Sequence, residues 1–299
     1  MTRRRLSARS TVVIGEFDGM HLGHQALVSA ARTVAARQRQ PLVGVVLDDV
    51  GALERLSSIE DRLRALLVAG CSSAIAVPVD PSDGSRRSEL VADRIVDVTG
   101  AASAVLACAP SPPSAPSSPL PPTDVRYPSM RAGFRSRGVD VVEVDRVHDA
   151  EGAPIVGWAI RAGVRAGAVE HVGRWLGRPY ALRGIVVHGA GLGRTIGFAT
   201  ANVEPPLGRV IPSRGVYAAR VTISDGSEHD AAVNIGHRPT VAGDGRLLIE
   251  AHLLDFDDDL YETSITIAFR RWLRAEQRFS GIDELVEQLA RDVAEVRRG

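Results

Sequence analysis

TVVIGEFDGMHLGH (residues 11–24) holds an apolar run, a turn and the opening of a helix in immediate succession. Thr11–Gly15 is short and apolar, as a buried strand requires. Asp18 and Gly19 read as the turn. Beyond it, Ala26, Leu27, Ala30, Ala31 and Val34 recur at helical spacing through residues 22–38. The same rhythm continues with LVGVVL (42–47), a helix around 59–69, AIAVPV (74–79), a helix around 87–98, SAVLA (103–107), VDVVEV (139–144) and a helix around 160–175. Strands that alternate with helices predict a parallel sheet covered by helices. Such sheets bind ligands beyond the carboxyl ends of their strands. One stretch interrupts the pattern. PSPPSAPSSPLPP (110–122) carries seven prolines and four serines, which exclude a helix or a central strand and predict an extended loop.

After Gly177 the character changes. GIVVHG, GVYAARVTI, DAAVNIG, RLLIEAHLL and SITIAF read as five strands separated by Gly, Asp and Pro, which predicts a small β-barrel. A closing helix follows, with Ile282, Leu285, Val286, Leu289, Val293 and Val296 stepping by three or four. The expected domains are therefore 1–177 and 178–299, as a length of 299 residues suggests.

Composition narrows the function classes. With 36 basic and 36 acidic residues the net charge is zero, so no global field draws the chain to nucleic acid or an anionic membrane. All the basic residues are arginine. A P-loop ending in Gly-Lys and a lysine Schiff base are thus both excluded. Cys71 and Cys108 form neither a disulfide framework nor a CxxC pair. The basic MTRRRLSARS start runs into TVVIG rather than a signal-peptide core, and no run approaches the ~20 apolar residues of a membrane helix. The expectation is a cytoplasmic enzyme with no membrane or nucleic-acid partner.

Two stretches carry chemistry. In GEFDGMHLGH (15–24), His21 and His24 stand three apart at a helix start, where free N–H groups and the dipole favour an anion. Gly23 keeps that space clear. Imidazoles there suit phosphoryl or nucleotidyl transfer, although two histidines at this spacing are as a bare pattern surface or metal residues. In GIVVHGAGLGRTIGFATANV (184–203), Gly189, Gly191 and Gly193 lack dinucleotide-fingerprint spacing, so they form either a plain turn or a phosphate-approaching loop. Thr200 and Asn202 point to one side of an extended segment and offer neutral oxygens suited to Mg²⁺. In RLLIEAHLLDF (246–256), Ile249, Ala251 and Leu253 share one face, and Glu250 and His252 the other. By position alone Glu250 is a solvated carboxylate or a base. His188, His229 and His237 do not cluster with acids, and Trp158, Trp175 and Trp272 read as packing residues.

GEFDGMHLGHQAL, the RWLGRPY junction and GRTIGFATAN together resemble the bacterial bifunctional riboflavin kinase/FAD synthetase family. The resemblance implies a Rossmann-like nucleotidyltransferase domain followed by a riboflavin kinase barrel. It implies ATP as co-substrate, with riboflavin and FMN as ligands. Carried over residue by residue, it makes Gly191, Gly193, Arg194, Thr200 and Asn202 the ATP and metal loop, with Thr200 and Asn202 on Mg²⁺. It makes Glu250 the general base, within a match to Glu-x-His-Leu-Leu-Asp-Phe. RAEQRF (274–279) would enclose the flavin through Arg274, Glu276 and Phe279, and NIGHRPT (234–240) also matches. In the first domain, Gly15, Phe17, Asp18, His21, Gly23, His24 and Arg161 fall in the family's nucleotide site.

That first domain departs from the pattern three times. LDDVG (47–51) stands where the family has Phe-x-Pro-His-Pro, and the proline-rich 110–122 replaces Asp-Phe-x-Phe-Gly. IVGWAIR (155–161) stands for Ser-Ser-Thr-Arg-Ile-Arg, keeping only Ile160 and Arg161. Val156, Gly157, Trp158 and Ala159 cannot make charge-assisted phosphate contacts. The expectation is a riboflavin kinase behind a degenerate adenylyltransferase domain. The alternatives are an enzyme that keeps both steps and a non-catalytic flavin-binding regulator.

Overall fold

The computed structural model describes residues 9–49, 54–79, 85–108, 126–189, 193, 196–237 and 247–298. The chain divides into two compact units, Met1–Gly157 and Trp158–Gly299.

In the first unit, β1 (Ser10–Gly15), β2 (Leu42–Asp49), β3 (Ser73–Val79), β4 (Ala101–Ala107) and β5 (Asp140–Val144) form a parallel sheet in the order β3-β2-β1-β4-β5. β1 is central, which is why every one of its residues is buried. Its alternation sorts the core. Val12 and Ile14 face one side with Ala92, Ile95, Met130 and Phe134, which come from α3 (Ser85–Thr99) and α4 (Arg126–Ser136). Val13 faces the other, with Leu27, Val28 and Ala31 of α1 (Leu22–Gln38) and Leu66 of α2 (Ile59–Val68). The α2 start is a capping box, Ser58 accepting from the Asp61 N–H and Asp61 from the Ser58 N–H.

The expected strands are all present within a residue or two, but α4 is additional. The single helix expected over 160–175 is two, α5 (Gly157–Arg165) and α6 (Val169–Leu176). Gly167 separates them with φ +77°, a left-handed conformation that ends a helix. Both helices belong mostly to the second unit. Val169, Val172 and Leu176 of α6 are buried, and Glu170 accepts the Trp272 N–H at 3.3 Å.

Among the described residues the second unit contains six strands rather than the five expected from the sequence. β6 (Tyr180–Val187), β7 (Ala201–Glu204), β8 (Gly215–Thr222), β9 (Glu228–His237), β10 (Leu247–Leu253) and β11 (Ser264–Arg274) close an antiparallel barrel in the order β10-β7-β6-β11-β8-β9. Closure leaves no unpaired edge. Leu182, Val203, Val233, Ile249, Ile267 and Phe269 fill the interior. The last helix, α7 (Ile282–Arg297), packs Val293 and Val296 on Ala218, Ala232 and Leu254 of the barrel's outer face. Its apolar stripe is half-buried at Leu285, Val286 and Leu289, and Ile282 at the helix start is exposed.

Candidate functional site

The barrel register assembles one polar row. Antiparallel pairing sets Glu250 of β10 directly opposite Asn202 of β7 and, on the other side, opposite Asn234 of β9. Residues paired this way share a face. With Ile249 and Ala251 pointing inward, the carboxylate stands outside the barrel between two carboxamides. Asn234 Nδ2 donates to Glu250 Oε2 over a long 3.5 Å. Asn202 is 7% exposed, the most enclosed of the three.

The loop between β6 and β7 is shaped by close approaches. A Cβ on Gly189 would overlap the Asn202 carboxamide, so glycine is what lets that side chain lie against the strand end. A Cβ on Gly193 would overlap the Phe198 carbonyl and sit 3.4 Å from Thr200 Oγ1. The Ile196 and Phe198 N–H groups donate to the Gly193 carbonyl at 3.2 and 2.9 Å, closing the turn that delivers half-buried Thr200 into the extended chain before Asn202. Gly191 and Arg194, expected in the same loop, lie outside the described residues, as do 110–122 and 238–240.

Two residues beyond Glu250, His252 Nδ1 lies 2.7 Å from the Ala199 carbonyl, with the Phe198 ring 5.3 Å away. The sequence placed His252 on the right face without giving it a role.

The segment expected to enclose a flavin divides. The guanidinium of Arg274, a residue expected on the flavin side, bonds Asp292 of α7 at 2.8 and 2.7 Å and the Ala275 carbonyl at 3.0 Å. Asp292 is 3% exposed, and a buried carboxylate needs a paired cation. Arg274 therefore ties the end of β11 to α7. Glu276 is exposed, its Oε1 lying where a Gly236 Cβ would be, and Phe279 is half-buried. His188 stacks on Tyr261 at 3.9 Å and His229 meets Phe256 edge-on, so both histidines have ring partners.

In the first unit the expected motif forms the turn between β1 and α1. Phe17 and Met20 take left-handed φ of 52° and 45° around the Asp18–Met20 turn, and Phe17 is wholly buried. Asp18 is buried within that turn. Its carboxylate, 1% exposed, accepts from the Leu56 and Ser57 N–H groups, the Ser57 hydroxyl and Arg62, whose Nη2 lies 2.9 Å away. Burial pulls the Arg62 pKa down while Asp18 opposes it. His21 caps α1, its Nδ1 accepting the His24 N–H at 3.3 Å, and the two rings stack at 3.7 Å. His24 Nδ1 is enclosed, with no hydrogen-bond partner among the described residues. Burial first, then His21 and Arg62, push the His24 pKa well below its ordinary 6.5, so this ring is neutral at pH 7. A Cβ on Gly23 would meet the His21 ring and the Ile155 carbonyl at 3.1 Å, so this glycine serves packing. Gly15 sits against the Phe17 ring, and Arg161 lies half-buried on α5. At the end of β2, Asp48 pairs with Arg55 at 2.7 Å.

A parallel α/β unit with an anion-favouring helix start, followed by a barrel bearing a carboxylate beside hydroxyl and carboxamide oxygens, defines a two-domain transferase. The riboflavin kinase family model matches residues 176–299, and the FAD synthetase family model matches residues 4–89. The bifunctional riboflavin kinase/FMN adenylyltransferase of Pseudomonas fluorescens is 33% identical over 95% of this chain and 91% of its own length. Its counterpart from Escherichia coli K12 is 33% identical over 94% and 90%. Among solved structures, a macrolide-efflux protein from Streptococcus pneumoniae superposes with a TM-score of 0.82 at 26% identity, covering 98% of this chain and 95% of that one. No helix among the described residues is long and apolar enough to cross a membrane. The chain belongs to the bifunctional riboflavin kinase/FMN adenylyltransferase family, and it is an enzyme with a riboflavin kinase domain.

Proposed function

We propose that the barrel, residues 178–299, transfers the γ-phosphoryl group of ATP to the 5′-hydroxyl of riboflavin. The observation that carries this reading is the row Asn202–Glu250–Asn234, with Thr200 beside it. Glu250 accepts the hydroxyl proton as the new O–P bond forms and ADP departs. Asn234, and Asn202 from the opposite side, keep the carboxylate facing outward. The donor set fits Mg²⁺. Among the described residues no cluster of three His, Cys, Asp or Glu could hold an ion unaided, whereas two neutral oxygens leave most positions to phosphate and water. Thr200 and Asn202 would hold it, and it would offset negative charge on the phosphates. Glu276 and Phe279 stand on the flavin side.

The first unit, in the same proposal, makes little or no FAD. Adenylyl transfer needs cationic and hydroxyl donors on both phosphate groups, and one such donor is worth ~2.7–4 kcal/mol in a transition state. Trp158 and Ala159 supply none. Asp48, already paired to Arg55, adds negative charge at the carboxyl end of β2. The FAD synthetase match over residues 4–89 and the bifunctional relatives weigh on the other side. A second reading, an enzyme that makes both FMN and FAD, is favoured by His21 and His24 at the α1 start.

Product chromatography separates the readings. Riboflavin with Mg·ATP yields FMN, and FMN with ATP yields FAD at least ~10²-fold more slowly, the loss expected from one missing donor. FAD and pyrophosphate formed at a rate comparable with FMN would establish the second reading.

A further inference from the structure

His252 lies on the strand of the proposed base yet reaches the loop of the proposed metal oxygens. Its Nδ1 is 2.7 Å from the Ala199 carbonyl. A carbonyl has no proton to give, so Nδ1 carries the hydrogen and donates it. The imidazole also meets the Phe198 ring at 5.3 Å, tilted by 59°. Residues 198 and 199 immediately precede Thr200, and the strand begins only at Ala201. Thr200 thus sits in the one stretch of this segment without ladder hydrogen bonds. On its amino-terminal side the turn is closed by donors to the Gly193 carbonyl. On its carboxyl side Asn202 is fixed by pairing with Val187 and Glu250. Between these anchors, among the described residues, it is the His252 side chain that bonds the loop backbone.

We propose that His252 is a positioning residue, whose Nδ1–H···O=C bond to Ala199 holds Thr200 in register with Asn202 and so couples the metal-binding oxygens to the strand that bears Glu250. It acts through the loop and touches neither nucleotide nor flavin. The inference rests on the Thr200–Asn202 metal reading given above.

The test compares His252→Phe, which keeps an aromatic ring against Phe198 but has no donor, with His252→Asn, whose Nδ2 stands near the position of Nδ1. Binding of ATP to the full chain is measured by calorimetry across a Mg²⁺ titration, with riboflavin binding and thermal melting measured alongside. Removing a hydrogen bond that orients a metal ligand costs about 10–100-fold in affinity. His252→Phe should weaken Mg²⁺-dependent ATP binding by that factor, with riboflavin affinity within about 2-fold of the parent. His252→Asn should recover most of the loss. Wild-type ATP binding by His252→Phe overturns the proposal. So does equal weakness of the Asn and Phe variants, or a parallel fall in riboflavin affinity. Failure of the kinase reading looks different: the parent chain then forms no FMN, whatever the His252 variants bind.

Discussion

Each half of the chain sends a strand into a glycine-bearing turn, and each turn is accompanied by a carboxylate. In the first unit Asp18 accepts from two backbone N–H groups, a serine hydroxyl and a guanidinium, all within 3.1 Å. In the barrel, among the described residues, Glu250 accepts one hydrogen bond, at 3.5 Å, and remains half-buried. A carboxylate whose lone pairs are filled by the fold has nothing left for a substrate, whereas one left under-satisfied beside an open face can take a proton. The contrast supports the proposal that Glu250 serves as the base, while the bonds to Asp18 hold the first unit's turn in place.

The largest expected effect tests the barrel side of that contrast. Glu250→Gln should lower kcat for FMN formation by ~10²–10⁴ with ATP affinity nearly unchanged, measured by steady-state kinetics and calorimetry. Near-normal turnover would place the base elsewhere. Next comes the framework side. Arg62→Leu removes the guanidinium from the buried Asp18 carboxylate, and breaking such a buried pair costs ~3–5 kcal/mol. Denaturant unfolding should show the first unit losing that stability while FMN formation persists. Loss of both together would mean that the two units do not fold independently.

A smaller effect concerns where the barrel module begins. A 178–299 fragment should still make FMN but unfold more readily than 158–299, because Val169, Val172 and Leu176 of α6 are buried and absent from it. Each such side chain is worth up to ~1.5–3 kcal/mol. Equal melting of the two fragments would show that α6 contributes nothing. Smallest is the titration of His24. Its folded pKa lies below the ordinary 6.5, so the unfolded chain binds the proton first as pH falls. Stability of the first unit is therefore full above pH 6.5 and declines below it, by at most ~1.4 kcal/mol per pH unit. His24→Gln should flatten that slope in chemical denaturation, and an unchanged slope would exclude His24 as its source.

Much of this organisation is legible in the sequence because strand and helix periods differ so clearly in the first half. What escaped has identifiable causes. α4 follows the proline-rich stretch and contains Pro128 and Gly133, so propensity argues against it; the buried pair Met130 and Phe134, four apart, was the signal to weigh. β7 is only four residues long and was read as an extended ligand segment rather than as a barrel strand. Asn234 and His252 are ordinary polar residues in alternating strands, and only the register reveals their neighbours. The Arg274–Asp292 pair was not legible because Asp292 lies in a distant helix, where it reads as one more exposed acid. One-dimensional patterns locate faces; they do not say who stands opposite.

The saturated Asp18 has a consequence for how such signatures persist. Replacing it would unbalance Arg62 and release Leu56 and Ser57, so the folded chain needs the aspartate with or without nucleotide turnover. The conspicuous GEFDG string can therefore outlast the reaction it advertises. A genome survey that counts its survival as proof of FAD production would be measuring foldability, and the informative positions for such a survey are 156–159, which lie between the buried Ile155 and Ile160 and are themselves only partly buried.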